Sequence, residues 1–416
     1  MGNHIFATAK LVILKTKVLL VWWYDRNDLI APFIKMKDDI EFTCLFYRFK
    51  EQENLSFEMP FPRIYWTDYS TPQQLLNAIK PDKVVFMGIE NFLTFGLNIA
   101  AKNKNIPTYY LFHGLNFNSV EERVNLGLDS LENKLENVVD IRYFEKNIFY
   151  TKQKYHSILF FFYALLHYKC ILNCLPIIKF LIDYKNMSNR LVFLTTNKEE
   201  FRLPSHYILM SKAASNYFVE RDGIDESRMM FIGPYMSDEM YGNYEGISTI
   251  PYKYILLIDQ NIALFDISEK NEIISKLRLR AAELQLKLLV KVHPADLHAD
   301  KIFHNDDVIL VKSNSNIKEM IYKAEYIVGY DSALLLPAIV KNKVTCIKIN
   351  EKRKMADLWH KYKVVGLISK ESIFQGESFD FFEPKQEDVD YFVEEYLGFA
   401  DGNSIQRLKL ILCKKL

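Results

Sequence analysis

The sequence lacks an excess of charge of either sign. Its 53 lysine and arginine residues are balanced by 52 aspartate and glutamate residues, so the formal net charge is +1 over 416 residues. General nucleic-acid binding requires a surplus of basic side chains, and we therefore expect no nucleic-acid partner. The hydrophobic fraction of 49% and the charged fraction of 25% are typical of a folded protein, and the length suffices for two sizeable domains.

Cysteine is scarce and scattered. The five residues are Cys44, Cys170, Cys174, Cys346 and Cys413. An odd count without regular spacing favours a reducing compartment, and four of the five lie in apolar runs typical of cores. Cys170 and Cys174 are one helical turn apart, but no second Cys or His pair lies nearby at zinc-ligand spacing. No Asp-X-Asp motif occurs in a setting suited to a metal, so we expect neither a metal nor another resident cofactor.

The N-terminal segment lacks the features of a secretion signal. Lys10, Lys15 and Lys17 interrupt its apolar residues, and it contains no small-residue cleavage site. We therefore expect a cytoplasmic protein.

An unbroken apolar run long enough to cross a membrane is also missing. Residues 155–184 are almost wholly apolar, but His167–Lys169 and Pro176 interrupt them, and a spanning helix needs roughly 20 apolar residues. Three interpretations remain open: helices lying on or partly in the cytoplasmic face of the inner membrane, a buried helical insertion, or a true membrane span. In the membrane interpretation Phe160, Phe161 and Phe162 contact lipid. The basic residues beside anionic lipid are then Lys152, Lys154, Lys169, Lys179 and Lys185.

Short apolar segments alternate with helix-like segments along most of the chain, as they do in doubly wound parallel sheets. The first series of predicted strands is Lys17–Trp23, Ile40–Tyr47, Arg63–Trp66, Lys83–Met87, Thr108–Phe112, Tyr207–Met210 and Met229–Ile232. The second series is Tyr254–Ile258, Leu288–Val292, Val308–Val311, Tyr326–Gly329 and Val344–Ile349. The predicted fold class is α/β, with two Rossmann-like, doubly wound parallel-sheet domains.

The same alternation gives the domain boundaries. We place an N-terminal domain at 1–241, with a helical insertion at about 119–189, and a C-terminal domain at 253–383. The segment 242–252, with two glycines and a proline, is the candidate linker. Helices within 384–416 follow the second domain, and we expect them to pack back across the lobes.

Two motifs stand directly after predicted strands of the second domain. His293 and Pro294 follow Leu288–Val292, and Asp331 and Ser332 follow Tyr326–Gly329. Ligands of open α/β sheets bind at the carboxyl ends of strands. A histidine fixed there can donate to a phosphate or transfer a proton. Ser332 is predicted to open the helix Ser332–Val340, where free backbone N–H groups favour an anion.

Two domains of this kind in tandem resemble the GT-B architecture of nucleotide-sugar glycosyltransferases. The section Tyr207–Gly233 resembles the end of their first lobe, and Ile255–Gln260 resembles the opening strand of the second lobe in bacterial capsule and lipopolysaccharide transferases. Val292-His293-Pro294 resembles their His-Pro motif, and the segment from Tyr330 to Leu334 resembles their Ser-rich motif. The resemblance covers about three-quarters of the chain.

Two groups of relatives carry these motifs. Bacterial sialyltransferases and polysialyltransferases use CMP-sugars, and resemblance to them implies that His293 and Ser332 bind the CMP phosphate. Asp331 replaces the first serine of their Ser-Ser pair, and their acidic base motif is not evident here. The second group, the CDP-glycerol glycerophosphotransferases of teichoic-acid synthesis, has a His-Gly pair in the first lobe. Phe112-His113-Gly114 and His293-Pro294 match its two motifs in order.

Either transfer requires a base for the acceptor proton and groups that stabilise the leaving phosphate. His113 is the first candidate base; its rivals are Glu90, Glu121 and Glu122. The strand-end residues Gln260, Asn261 and Ser313 are candidates for binding the base or ribose. The acceptor implied by the resemblance is a glycan or glycolipid. A non-catalytic nucleotide-binding partner in polysaccharide assembly remains a third interpretation.

Overall fold

The structure is a computed structural model with two sheets, each wholly parallel and each covered by helices. It describes residues 15–22, 27–46, 57–89, 91–113, 119–125, 156–166, 175, 177, 179–180, 183, 194–246, 249–260, 266–293, 299–311, 316–348, 355–377 and 380–414.

The first sheet belongs to the N-terminal lobe. Its strands are β1 (Thr16–Trp22), β2 (Ile40–Phe46), β3 (Arg63–Tyr65), β4 (Lys83–Phe86), β5 (Thr108–Leu111), β6 (His206–Leu209) and β7 (Met229–Phe231). Their order across the sheet is β3-β2-β1-β4-β5-β6-β7. The helices are α1 (Asn27–Ile34), α2 (Pro72–Ile79), α3 (Phe92–Asn103), α4 (Val120–Asn125), α5 (156–166) and α6 (Ala213–Asp222). The short 3-10 helix Tyr235–Met240 ends the lobe.

The second sheet has the same winding. Its strands are β8 (Tyr254–Ile258), β9 (Lys287–Lys291), β10 (Val308–Val311), β11 (Tyr326–Gly329), β12 (Val344–Lys348) and β13 (Val365–Ser369), in the order β10-β9-β8-β11-β12-β13. The helices are α7 (Ile267–Glu283), α8 (Ile317–Lys323), α9 (Leu335–Lys341), α10 (Met355–Lys361) and α11 (Lys370–Gln375). The two sheets confirm the predicted fold class.

Local sequence signals explain several of these boundaries. The Thr71 side chain accepts a hydrogen bond from the Gln74 backbone N–H (3.0 Å) and so caps α2, with Pro72 in the first turn. Helix α6 ends at Gly223, whose φ of 67° lies in the left-handed region that favours glycine. The strands are apolar because helices bury both faces of a parallel sheet.

The insertion contributes α5, which packs closely on α3. A Cβ atom on Gly96 of α3 would lie 3.0 Å from the Phe161 Cα, a tight contact, so glycine at this position favours the close approach of the two backbones. Phe160 and Phe161 are fully buried, and Phe160 packs edge-to-face on Trp66. The prediction that these two phenylalanines contact lipid is therefore wrong, because the lobe buries their face of the helix. Phe162, on the other face, is 44% exposed.

The C-terminal helices are α12 (Gln386–Phe392), which continues as a π-helical turn (Val393–Leu397), and α13 (Ser404–Cys413). The turn connects the two lobes, because the Ser211 hydroxyl donates to the Tyr396 carbonyl (2.8 Å) and the Tyr396 ring packs on Tyr362. Helix α13 lies on the first lobe. Asp238 accepts hydrogen bonds from the first backbone N–H groups of α13, and the Lys83 ammonium donates to the carbonyl of Ile411 near its end (2.8 Å).

Candidate functional site

The candidate site lies where the strand order of the second sheet reverses direction. Strand β8 has β9 on one side and β11 on the other, so the chain leaves β8 at the topological switch point. The residues that follow these three parallel strands therefore lie together. The carboxyl ends of the strands form this edge of the sheet. In doubly wound folds this edge holds the ligand.

His293 stands two residues after β9 and is partly buried. The ladder continues past the strand end, since the Val292 N–H donates to the Val311 carbonyl (3.1 Å). Two strand spacings, about 10 Å in all, separate β9 from β11, the strands that His293 and the Asp331-Ser332 turn follow. That span suits a nucleotide lying over the end of β8. Pro294 falls outside the described residues.

Gln260 and Asp331 connect the ends of β8 and β11. The Gln260 side-chain amide donates a hydrogen bond to the Asp331 backbone carbonyl (3.2 Å). The Asp331 carboxylate accepts one from the Ala356 backbone N–H (3.0 Å), so its side chain is directed at the start of α10. These bonds fix the turn after β11. The other two residues predicted to bind base or ribose, Asn261 and Ser313, lie outside the described residues.

Ser332 does not open the helix after β11, which corrects the sequence prediction. Helix α9 begins at Leu335, and Ser332 belongs to the preceding turn. Its hydroxyl accepts a hydrogen bond from the Leu334 N–H (3.3 Å), and its carbonyl accepts one from the Leu335 N–H (2.9 Å). The hydroxyl is thus engaged in a local turn, a common use of serine that competes with helix capping. Ser332 remains partly exposed at the shared edge.

The candidate bases of the first lobe follow neighbouring strands. His113 stands two residues after β5 and is exposed. Glu90 follows the adjacent strand β4 but lies outside the described residues. Glu121 and Glu122 lie in the first turn of α4, where negative side chains favour the helix dipole. Of the described candidates, only His113 follows a strand end directly.

Sequence reasoning missed a group of buried charges beneath the second-lobe edge. Asp259, Lys270 and Lys291 are all buried, and the Lys270 ammonium forms an ion pair with the Asp259 carboxylate (2.8 Å). Burial raises the pKa of the neighbouring Tyr330 hydroxyl, and the Asp259 charge raises it further. The signal was present in the sequence, since Asp259 and Lys291 are ionisable residues at the ends of otherwise apolar strands.

In the part of the chain that the structure describes, no group of three or more His, Cys, Asp or Glu side chains is arranged to hold a metal ion. Of the described cysteines, Cys44 and Cys346 are buried and Cys413 is partly buried. Burial together with the Asp331 charge raises the pKa of the Cys346 thiol. Cys346 is therefore a core residue, as the sequence predicts.

The fold is similar to that of several solved structures. No family model and no curated protein matches the chain. The UDP-GlcNAc 2-epimerase of Methanocaldococcus jannaschii is 13% identical, with 96% of this chain and 99% of that chain covered and a TM-score of 0.50. The S. aureus MnaA–UDP co-structure is 14% identical over 94% of each chain, with a TM-score of 0.50. The glycosyltransferase of kitacinnamycin is 11% identical over 96% and 99%, also at 0.50. At these identities the likeness establishes the two-lobed GT-B fold alone.

Proposed function

We propose that the protein is a glycosyltransferase that takes a sugar from a nucleotide-activated donor. The observation that carries the proposal is the convergence of Gln260, His293 and the Asp331-Ser332 turn at the switch point of the second sheet. The S. aureus neighbour with UDP and the kitacinnamycin glycosyltransferase support a nucleotide-sugar ligand for this fold. The donor binds the second lobe, and the acceptor binds the first.

In the proposed reaction an acceptor hydroxyl attacks the anomeric carbon of the donor sugar. The bond from that carbon to the phosphate oxygen breaks, the nucleotide leaves, and the acceptor proton passes to a base, for which we propose His113 with Glu90 as the rival. His293 stabilises the charge that grows on the leaving phosphate. A single displacement inverts the anomeric configuration. We propose that it proceeds without a metal, because the sequence has no Asp-X-Asp motif in a suitable setting.

For the donor we propose a CMP-sugar such as CMP-sialic acid, and for the acceptor a growing capsule or lipopolysaccharide glycan. The support is the order of the His-Pro and Ser motifs. A CDP-glycerol-type polyol-phosphate transferase is the second candidate, and the specific observation in its favour is His113, followed by Gly114, at the end of β5. A non-catalytic nucleotide binder in polysaccharide assembly is the third.

A thermal-shift screen of CMP-, CDP-, UDP- and GDP-linked donors tests the proposal. A bound ligand stabilises the folded protein by RT ln(1 + [L]/Kd), so the preferred donor raises Tm most. Each binding donor is then incubated with glycan acceptors. Transfer of the sugar supports the proposal, and transfer of glycerol phosphate favours the second candidate. Epimerisation of a UDP-sugar, or binding without turnover, would contradict it.

We also propose that the acceptor is met at a membrane surface, with the exposed face of α5 against the lipid. Leu159, Phe162 and Leu166 are between 44% and 66% exposed, although the opposite face of the same helix is buried. Leu175 and Lys179, four residues apart in a helical segment, are also exposed. An apolar face with a basic residue nearby suits an anionic lipid surface. No helix in the described ranges is both long and apolar enough to cross a bilayer.

A further inference from the structure

Lys291 is a buried cation to which the proposed reaction assigns no role. It is the last residue of β9, two residues before His293, and its side chain is only 6% exposed overall. Two residues apart in an extended chain place their side chains on the same face. Lys291 therefore lies under the edge at which the nucleotide is proposed to bind, on the side of His293.

Two of the other charges near this edge, those of Asp259 and Lys270, compensate each other. Lys270 donates to the Asp259 carboxylate (2.8 Å) and to the Gln260 backbone carbonyl (2.9 Å), which leaves an ion pair held between α7 and β8. The Lys291 ammonium donates to a neutral acceptor, the carbonyl of Val292 (3.0 Å). Among the described residues, no carboxylate lies within ion-pair distance of it.

Such a position is costly for the unliganded protein. A lysine loses hydration when it is buried, and a carbonyl returns only part of that free energy. Burial accordingly lowers the pKa of the Lys291 ammonium, and the charge of Asp259 offsets part of this effect. A bound anion close to the ammonium would compensate the hydration free energy that the buried lysine has lost. The adjoining edge, at the switch point of the sheet, is where an anionic ligand of this fold binds.

We propose that Lys291 attracts the phosphate of the nucleotide donor and holds it beside His293. This inference rests on the proposed function, because it takes the ligand of the edge to be a nucleotide. It adds a positioning residue that acts through its charge. Its contribution should therefore follow the charge of the ligand, being absent for a nucleoside and largest for a diphosphate.

The variant Lys291→Met separates this role from a structural one. Methionine has a similar length and no charge, and the Asp259–Lys270 pair remains intact. Removing an uncompensated buried charge should leave the Tm of the unliganded protein unchanged or raised. Lys287→Met is the matched control, since Lys287 lies at the opposite end of β9 and its ammonium donates to the Asp306 carbonyl (2.9 Å).

The measurement is titration calorimetry with cytidine, CMP and CDP, and with the matching uridine series, on wild type and both variants. We expect Lys291→Met to weaken the binding of the phosphorylated ligands by at least about tenfold, more for the diphosphate, and to leave nucleoside binding unchanged. Equal nucleotide affinities in Lys291→Met and wild type would overturn the inference and leave the proposed function standing. Equal losses for nucleoside and nucleotide with a lowered Tm would also overturn it, as a structural effect. A wild type that binds none of these nucleotides would overturn the proposed function itself.

Discussion

The side-chain amide of Gln260 donates a hydrogen bond to the Asp331 carbonyl (3.2 Å) and thereby connects the residues after β8 to those after β11. The two strands pair directly, with Ile258 opposite Gly329. Gln260 thus holds the Asp331-Ser332 turn in position. We propose that the donor phosphate binds at this turn.

We predict that Gln260→Ala loosens this turn and weakens donor binding. A hydrogen bond of this kind contributes about 1 kcal/mol, which corresponds to roughly fivefold in affinity. Calorimetric titration with the preferred donor measures the change. Gln375→Ala, at an exposed glutamine of α11, is the control and should bind as wild type does. A Gln260→Ala protein with unchanged donor affinity would show that this hydrogen bond is unnecessary for donor binding.

His293→Ala should lower turnover by at least about 10²-fold while the protein remains folded, because one preorganised donor to the leaving phosphate is lost. Steady-state transfer assays and the far-UV circular dichroism spectrum together check the two halves of this prediction. His304→Ala is the matched control, since His304 lies in the same lobe and its ring bonds locally to the Ile302 carbonyl. Near-wild-type turnover in His293→Ala would remove this histidine from the site.

The strands were predictable from the sequence because a buried parallel strand is an apolar run that local pattern alone identifies. Tyr254–Ile258, Val308–Val311 and Tyr326–Gly329 have the predicted boundaries. The edge strand β13 was missed because Gly366, a residue disfavoured in strands, interrupts its apolar run; Phe382 packs where a side chain at position 366 would lie. Helix α1 was missed because Pro32, inside it, normally ends a helix.

The candidate site was predictable only in part. Strand-end motifs made His293 and Ser332 candidate site residues, but which strand ends are neighbours depends on pairing between distant segments, such as β8 with β11. The start of α9 was placed at Ser332, three residues before its actual start at Leu335, since Ser332, Ala333 and Leu334 are all compatible with a first turn. No role was predicted for Lys291, because a lysine at the end of an apolar strand is expected to face solvent until its burial is known.

His113→Ala should abolish transfer and leave donor affinity nearly unchanged. The reason is that a neutral histidine can accept the acceptor proton near pH 7, whereas we propose that the donor binds mainly to the other lobe. Transfer assays are paired with donor titration by calorimetry. A loss of donor affinity would instead make His113 a phosphate ligand and favour the glycerophosphotransferase. Unchanged transfer would shift the proposed base to Glu90.

Replacing Leu159, Phe162 and Leu166 together by serine should weaken the binding of the protein to anionic liposomes, because these side chains form the exposed face of α5. Co-sedimentation measures the bound fraction. Leu279→Ser with Leu410→Ser is the control, since both leucines are at least half exposed on other helices. Phe160→Ala is expected to destabilise the fold by about 3–5 kcal/mol instead, as a core cavity does. Wild-type protein that stays in the supernatant would contradict the membrane proposal.

His206 should make the folded protein less stable in acid. Its ring stacks on Tyr109 (5.2 Å between centroids), and its Nδ1 atom is buried without a hydrogen-bond partner among the described residues. Burial lowers the pKa of this imidazole, and the positive charges of Arg228 and Lys83 lower it further.

As the pH falls through about 6.5, the unfolded chain takes up a proton on His206 that the folded chain accepts only at lower pH. The unfolded state then binds more protons, so the free energy of unfolding decreases with falling pH. His206→Phe preserves the stacked ring and removes the titration. We expect its Tm to exceed the wild-type Tm increasingly as the pH is lowered from about 7.5 to about 5.5. Parallel Tm profiles for the two proteins across that range would contradict the prediction that the buried imidazole destabilises the folded protein in acid.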